Sequence, residues 1–160
     1  MAFPIPNLSL NSLLGMPLSH RFGVFFFIAG VIPNPLDIRF QRVSGLSTRV
    51  ETDPMNNGGK NIITKRLPKR LTYDNLVLER GFVVGSPLNL QLNDIMNEFK
   101  FFRSDVIVTL FNEDAVPISA WMFKEAFPVR WATADLNAQE DRILIDTLEL
   151  SFTRMLTVRL

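Results

Sequence analysis

Two carboxylates four positions apart, Asp94 and Glu98, are the sequence's nearest approach to a general acid–base pair. On a helix that spacing stacks them on one face. A pair that moves protons needs an environment that parts its two pKa values. Here the neighbours are Asn93 and Asn97 and no histidine is close, so the pair reads as a solvated helix face. The chain has a single histidine, His20, and no cysteine. A multi-histidine metal site, a thiolate site and a Ser–His–Asp triad are therefore all beyond one copy. The loop at 135–141 (DLNAQED) lacks the glycine at its sixth position and the closing glutamate that a calcium loop requires. Asn56, Asn57, Gly58 and Gly59 precede Lys60 without the Lys-Ser/Thr ending or following helix of a phosphate loop. They read as a long hairpin turn whose glycines supply positive φ. No catalytic, cofactor-binding or metal-ligating residue is predicted, so an enzyme is the disfavoured class.

Composition points the same way. At 160 residues the chain suits one sizeable domain, with 47% hydrophobic and 21% charged residues. A net charge of +1 gives no global field to recruit nucleic acid or a membrane surface. The absence of cysteine removes any disulfide framework and any argument for an oxidising compartment. Fourteen phenylalanines against one tyrosine imply apolar surface that assembly buries. One local charge run stands out, at 60–70 (KNIITKRLPKR), with five basic residues and no acid. It reads as a solvated strand end. Alternatives are a nucleic-acid contact, though no stacking aromatics are interleaved, or a pore or inter-subunit seam lined by Lys65, Arg66, Lys69 and Arg70, or by Arg39 and Arg42.

The elements that position these residues are mostly strands. Residues 1–20 hold three of the ten prolines, and the first 19 carry no charged side chain and no basic region of a signal peptide. They read as an extended arm, docking on a neighbour through Phe3, Ile5, Leu8, Leu10, Leu13 and Leu14. Residues 21–29 (RFGVFFFIA) are too short to span a bilayer, and membrane insertion is not expected. Both faces of this strand are apolar, which predicts cover on both sides, with Phe25 and Phe27 against a helix or another chain. A turn at IPNP and a strand at 36–45 predict a hairpin with it. A further strand is predicted over 72–80. Ser86 and Pro87 are helix start signals, and Leu88, Leu92, Ile95, Met96 and Phe99 form one apolar stripe, predicting a helix over about 86–100. Alternation at 106–111 and again at 120–125 predicts an antiparallel pair, with Trp121 or Phe123 packed in the core beneath Leu92, Ile95 and Phe99. Pro128 predicts a bend, bulge or edge. A last strand is expected from Ile143 to about Phe152. The expected class is mainly β (α+β): a barrel or sandwich of about six to eight antiparallel strands over 21–160, flanked by one helix.

Several segments carry a family resemblance. AWMFKEAFPVRWATADLNA followed by ILIDTLELSF resembles the end of the tail tube proteins of contractile phages and phage-tail-like injection systems. FGVFFFIAG and IRFQRVSGLSTRVE resemble the opening of that family, with Val-Ser-Gly-Leu-Ser the most telling part. KRLPKRLTYDNLVLERG resembles its middle, with Lys69 where a glycine is usual. The resemblance spans about 21–155. It implies six subunits forming a ring, rings stacking into a hollow tube inside a sheath, and kinship with the type VI secretion tube protein. It further implies as partners other rings, a baseplate hub or spike, the sheath and a cargo in the lumen, with assembly in the bacterial cytoplasm into a tail or tail-like particle and no cofactor. The long uncharged arm and the added TVRL end depart from the usual pattern, and suit a ring joining tube to hub. The alternative reading is a small β-barrel module binding peptide or nucleic acid.

Overall fold

The computed structural model describes residues 21–27, 39–55, 58–59 and 65–159. Among these the chain forms β1 (Phe22–Phe27), β2 (Arg42–Ser44), β3 (Thr48–Met55), β4 (Lys65–Tyr73), β5 (Leu76–Gly81), α1 (Pro87–Glu98), β6 (Ser104–Phe111), β7 (Pro117–Thr133), β8 (Ile145–Ser151) and β9 (Arg154–Arg159). All strand pairs are antiparallel. Seven strands form one sheet and β3–β4 stands apart as a two-stranded sheet.

The 17-residue strand β7 organises the larger sheet. Its first half, Ser119–Lys124, bonds β6 on one side and β9 on the other. Its second half, from Phe127 to Thr133, bonds β8. The changeover lies at Glu125, which is left-handed (φ 53), and at a register shift between Pro128 and Arg130. Proline cannot donate to a ladder, so the run survives it only where the pairing is irregular. Side chains fasten the bend. Asp105 accepts from Lys124 Nζ at 2.5 Å and from the Glu125 amide at 3.1 Å. The Glu125 carboxylate accepts from Arg103 at 3.2 Å and Thr153 at 3.0 Å. The result is two four-stranded halves, β1–β6–β7–β9 and β7–β8–β5–β2.

Both halves feed one core. Val24, Phe26, Val106, Val108 and Phe123 come from the first, and Leu76, Leu78, Leu148 and Leu150 from the second. Helix α1 adds Leu88 and Leu92, while Ile95 is also buried. Ser86 caps the helix, and its hydroxyl also accepts from buried Arg80 at 2.9 Å. Arg80 donates further to Asn89 and lies over the Phe40 ring at 5.5 Å, so a buried cation is fully engaged.

Several expectations need correction. Among the described residues the predicted hairpin of the first two strands is replaced by other pairings: β1 pairs β6, and β2 pairs β5. Phe22–Phe27 matches six consecutive residues of β6, whereas the three-residue β2 lies at the other end of the sheet on β5. The strand expected over 72–80 is interrupted at Asp74 and Asn75, dividing β4 from β5. The expectation of Trp121 or Phe123 in the core is met by Phe123, which is fully buried, with Trp121 half-buried against it. Phe99 leaves the helix stripe, because α1 stops at Glu98 and Phe99 turns left-handed (φ 54), leaving it 81% exposed. Met96 is exposed too. Strand β9 was not anticipated: Leu156 and Val158 alternate with Met155 and Thr157, so little polarity contrast marks it.

Candidate assembly surfaces

The β3–β4 hairpin is the part of the chain least supported by its own core. All but a few of its described residues are exposed. Gly45 lets it leave β2: φ is +89°, and a Cβ there would stand 2.0 Å from the Asn75 carbonyl oxygen. Val50 faces Leu71 in register, and beyond the register shift at Glu51/Thr52 Leu67 faces Asp53 and Met55 faces Lys65 on the other side of the hairpin, the side of Glu51 and Arg70. Val50, Met55, Leu67 and Leu71 are each about half exposed, apolar side chains on both faces of a hairpin with no third strand among the described residues. An isolated two-stranded ribbon is marginal in water. Its exposed apolar side chains call for partner surface.

The basic run lies on this hairpin, but it is not a bare cationic strip. Arg70 donates to Glu51 at 2.6 and 3.2 Å, and Lys69 sits 3.3 Å from Asp53. The hydrogen bond from Arg70 holds the Glu51 carboxyl below its usual range, and Glu51 raises Arg70 in turn. Lys65 and Arg66 are exposed with no ion-pair partner among the described residues. Cross-strand acids that the linear run concealed thus neutralise half of its described charge, which weakens the nucleic-acid alternative.

The two halves of the larger sheet turn contrasting outer faces to their surroundings. On the first, Phe25, Ile107, Met122 and Leu156 form one row across β1, β6, β7 and β9. Phe25 and Phe27 are half-buried on this side. On the second, one row is Arg42, Glu79, Thr147 and Ala132, and the next is Ser44, Val77, Glu149 and Arg130. Arg42 approaches Glu79 at 3.9 Å, and Asn75 donates to Glu149 at 2.7 Å. The loop between β7 and β8 borders this polar face, forming with it an open cleft of about 1010 Å³ lined by Arg130, Thr133, Leu136, Arg142 and Ile143 among others.

The remaining candidates fall as follows. Arg39 is exposed just ahead of β2. Gly58 and Gly59 are exposed at the hairpin turn, where Gly59 has φ +107°. Asn56, Asn57, His20 and the arm residues Phe3, Ile5, Leu8, Leu10, Leu13 and Leu14 lie outside the described residues. Asp94 and Glu98 are exposed on α1, with Glu98 bonded to Lys100. In the 135–141 loop Asn137 accepts from the Gln139 amide, and Glu140 pairs with Arg142 at 2.6 Å. Among the described residues no three potential ligands gather to hold a metal, and no helix is long and apolar enough to cross a membrane.

Comparison with known proteins bears on these surfaces. Among curated proteins none matches the chain. A chain in the cryo-EM structure of the anti-feeding prophage (AFP) baseplate, 6-fold symmetrised, is 38% identical with a TM-score of 0.83, over 90% of this chain and 96% of that one. A chain in an extracellular contractile injection system, the PVC sheath–tube complex in its extended state, shares the fold at 20% identity and TM-score 0.77, over 96% of this chain and 98% of that one. Hcp1 from Flavobacterium johnsoniae shares it at 19% and TM-score 0.55, over 86% and 94%. The family model for T4-like virus tail tube protein gp19 matches residues 19–156. With nearly all of the described fold inside that match, the chain belongs to the T4-like virus tail tube protein family.

Proposed function

We propose that this tube-family chain assembles as a ring of six copies within the inner tube of a contractile injection apparatus, at the end where the tube meets its baseplate hub. The observation that carries the ring reading is the β3–β4 hairpin, whose half-exposed apolar side chains on its two faces have no partner among the described residues. On a tail tube scaffold it is suited to grip a neighbouring copy, with Gly58 and Gly59 at its turn and Asn56 and Asn57 beside them. Strands β1 and β9, at the two ends of one half-sheet, have edges unpaired among the described residues that adjacent copies can complete, removing exposed ladders by closure. Phe25 and Phe27 lie beside one such edge. Six copies match the symmetry of the baseplate assembly that holds the 38% identical chain.

The baseplate-proximal position is supported by that identity, against 20% for a chain from a sheath–tube complex. A ring there contacts copies of itself, the next tube ring and the hub or spike, lies within the sheath, and passes cargo through its lumen. The role is structural and calls for no cofactor. Assembly belongs in the bacterial cytoplasm, and the finished particle carries the ring outward.

Negative-stain microscopy and native mass spectrometry of the purified chain test the reading. Rings of six, alone or beside baseplate partners, are the expected result. A monodisperse monomer at high concentration, forming no rings even with those partners, would overturn it.

A further inference from the structure

The hairpin and the loop between β7 and β8 leave opposite ends of the same half-sheet, and each exposes what the other lacks. We infer that the cleft beside the β7–β8 loop is the seat for the β3–β4 hairpin of a second copy, in the adjoining ring. The inference rests on the ring reading above and is independent of where along the tube the ring sits.

Strand register fixes the two ends. The chain leaves for the hairpin after Ser44, which pairs with Val77, and returns from it to β5 at Leu76. Leu76 pairs with Leu150, whereas Gly81, about 17 Å further along β5, pairs with Ile145 where the β7–β8 loop ends. Thr133, where that loop begins, pairs with Asp146 at the same far end. Helix α1 makes the return crossing. It starts after Gly81 and finishes ahead of β6, where Phe101 meets Phe127 edge-on at 6.2 Å. Phe127 pairs with Ser151, just past Leu150, so this aromatic group lies at the hairpin end.

Both ends carry apolar side chains in water. Met55 and Leu67 are half exposed toward the hairpin tip, and Phe99 and Phe102 are more exposed still at the end of α1. At the other end Leu136 and Ile143 line the cleft while 84% and 78% exposed. Half-exposed Phe82 is tied to the same loop, its amide donating to the Leu144 carbonyl at 2.9 Å. Unpaired charges of opposite sign complete the match. Lys65 and Arg66 near the hairpin tip have no ion-pair partner among the described residues, and neither do Asp135 and Asp141 on the loop, where Glu140 is taken by Arg142. Arg130, in the cleft, stands beside Glu149 in the register. Aliphatic groups ringed by free cations thus face aliphatic groups ringed by free acids. Because the two surfaces sit at opposite ends of one half-sheet, they meet between copies and not within one. A contact between unlike ends is heterologous and repeats along the strand direction without closing, as stacked rings require.

The chain has no cysteine, so a Leu67→Cys, Leu136→Cys double variant carries only the two thiols of interest. Rings assembled at high concentration are treated with a flexible bis-maleimide and separated on a denaturing gel. A ladder running well beyond six chains is expected, because each ring is then linked to the next. A ladder that stops at six puts the contact within one ring and overturns the assignment, as does the absence of linked chains. Charge exchange gives a readout that local distortion would not. Asp135→Lys with Asp141→Lys should leave rings of six but weaken their stacking in sedimentation by roughly tenfold or more, and adding Lys65→Glu with Arg66→Glu should restore it. Stacking unaffected by the first pair, or not restored by the second, overturns the match of hairpin to loop. If the unmodified chain forms no rings under any condition, the ring reading fails first, and this assignment falls with it.

Discussion

Gly45 is the residue on which the separation of hairpin from barrel turns. A methyl group there meets the Asn75 carbonyl oxygen at 2.0 Å, in a backbone conformation that L side chains rarely adopt. Gly45→Ala is expected to destabilise the subunit by more than the roughly 1 kcal/mol of left-handed strain alone, lowering the melting temperature in a thermal scan. Phe123 sets the core limit. It is fully buried among Leu76, Val106 and Leu150. Phe123→Ala should cost about 3–5 kcal/mol, a large share of a domain's total stability, and yield little soluble protein. Half-buried Trp121, replaced in the same way, should cost measurably less. Asp105 gives the pH dependence. The hydrogen bond from Lys124 does most to hold its carboxyl below the usual aspartate value of 3.8, and the Glu125 amide adds to this, against a smaller upward push from burial. A depressed folded-state pKa contributes stability that is complete above the unfolded value and lost as pH falls through the folded one. The β7 bend should therefore weaken below about pH 4, and Asp105→Asn should flatten that part of a stability-against-pH curve. An unchanged acid limb in the variant would show that other carboxylates govern it.

At the scale of elements, the hairpin and the barrel make separable demands. Val50, Leu67 and Leu71 are half-exposed and belong neither to the core cluster nor to the partly buried residues packed on it, so charging them should leave the subunit's core intact. In an assembly, the remaining half of each side chain would be worth about 1 kcal/mol on burial. Leu67→Glu with Leu71→Glu should leave the monomer's melting temperature within about 1 °C per few tenths of a kcal/mol and abolish association in sedimentation. Loss of folding instead would mean these side chains serve the subunit. Which elements were legible in the sequence follows from how local their causes are. The α1 start was written in Ser86-Pro87, and the β6–β7 pair in alternating residues either side of a turn where Asn112 accepts from the Asp114 and Val116 amides. Pairings were not local. Nothing in Phe22–Phe27 says that its partner lies about 80 residues onward, because an apolar strand fits any apolar neighbour. The same limit hid the cancellation of Lys69 and Arg70 by Asp53 and Glu51, which only the hairpin register brings opposite. The family, by contrast, was legible, because motif order along the chain needs no pairing at all.

For the whole molecule the open question is its place in the tube. Rings that stack only on copies of themselves need two mutually complementary faces, a heterologous contact that does not close. A ring that begins the tube needs one such face and a second contact for a different protein. The hairpin can serve the first. For the second, the chain offers its uncharged first 19 residues, with Phe3, Ile5, Leu8, Leu10, Leu13 and Leu14 spaced among prolines and polar residues. Such a segment loses conformational entropy on docking, offset when its apolar side chains are buried against a hub. Deleting residues 2–19 separates the two positions. An adaptor arm predicts that the shortened chain still folds and forms rings, since its β1 register, core and hairpin are untouched, while rings no longer hold to baseplates and tube yield on them collapses. Complete tubes on baseplates at normal yield would show that the arm is not the adaptor, and would place this chain among ordinary stacking rings.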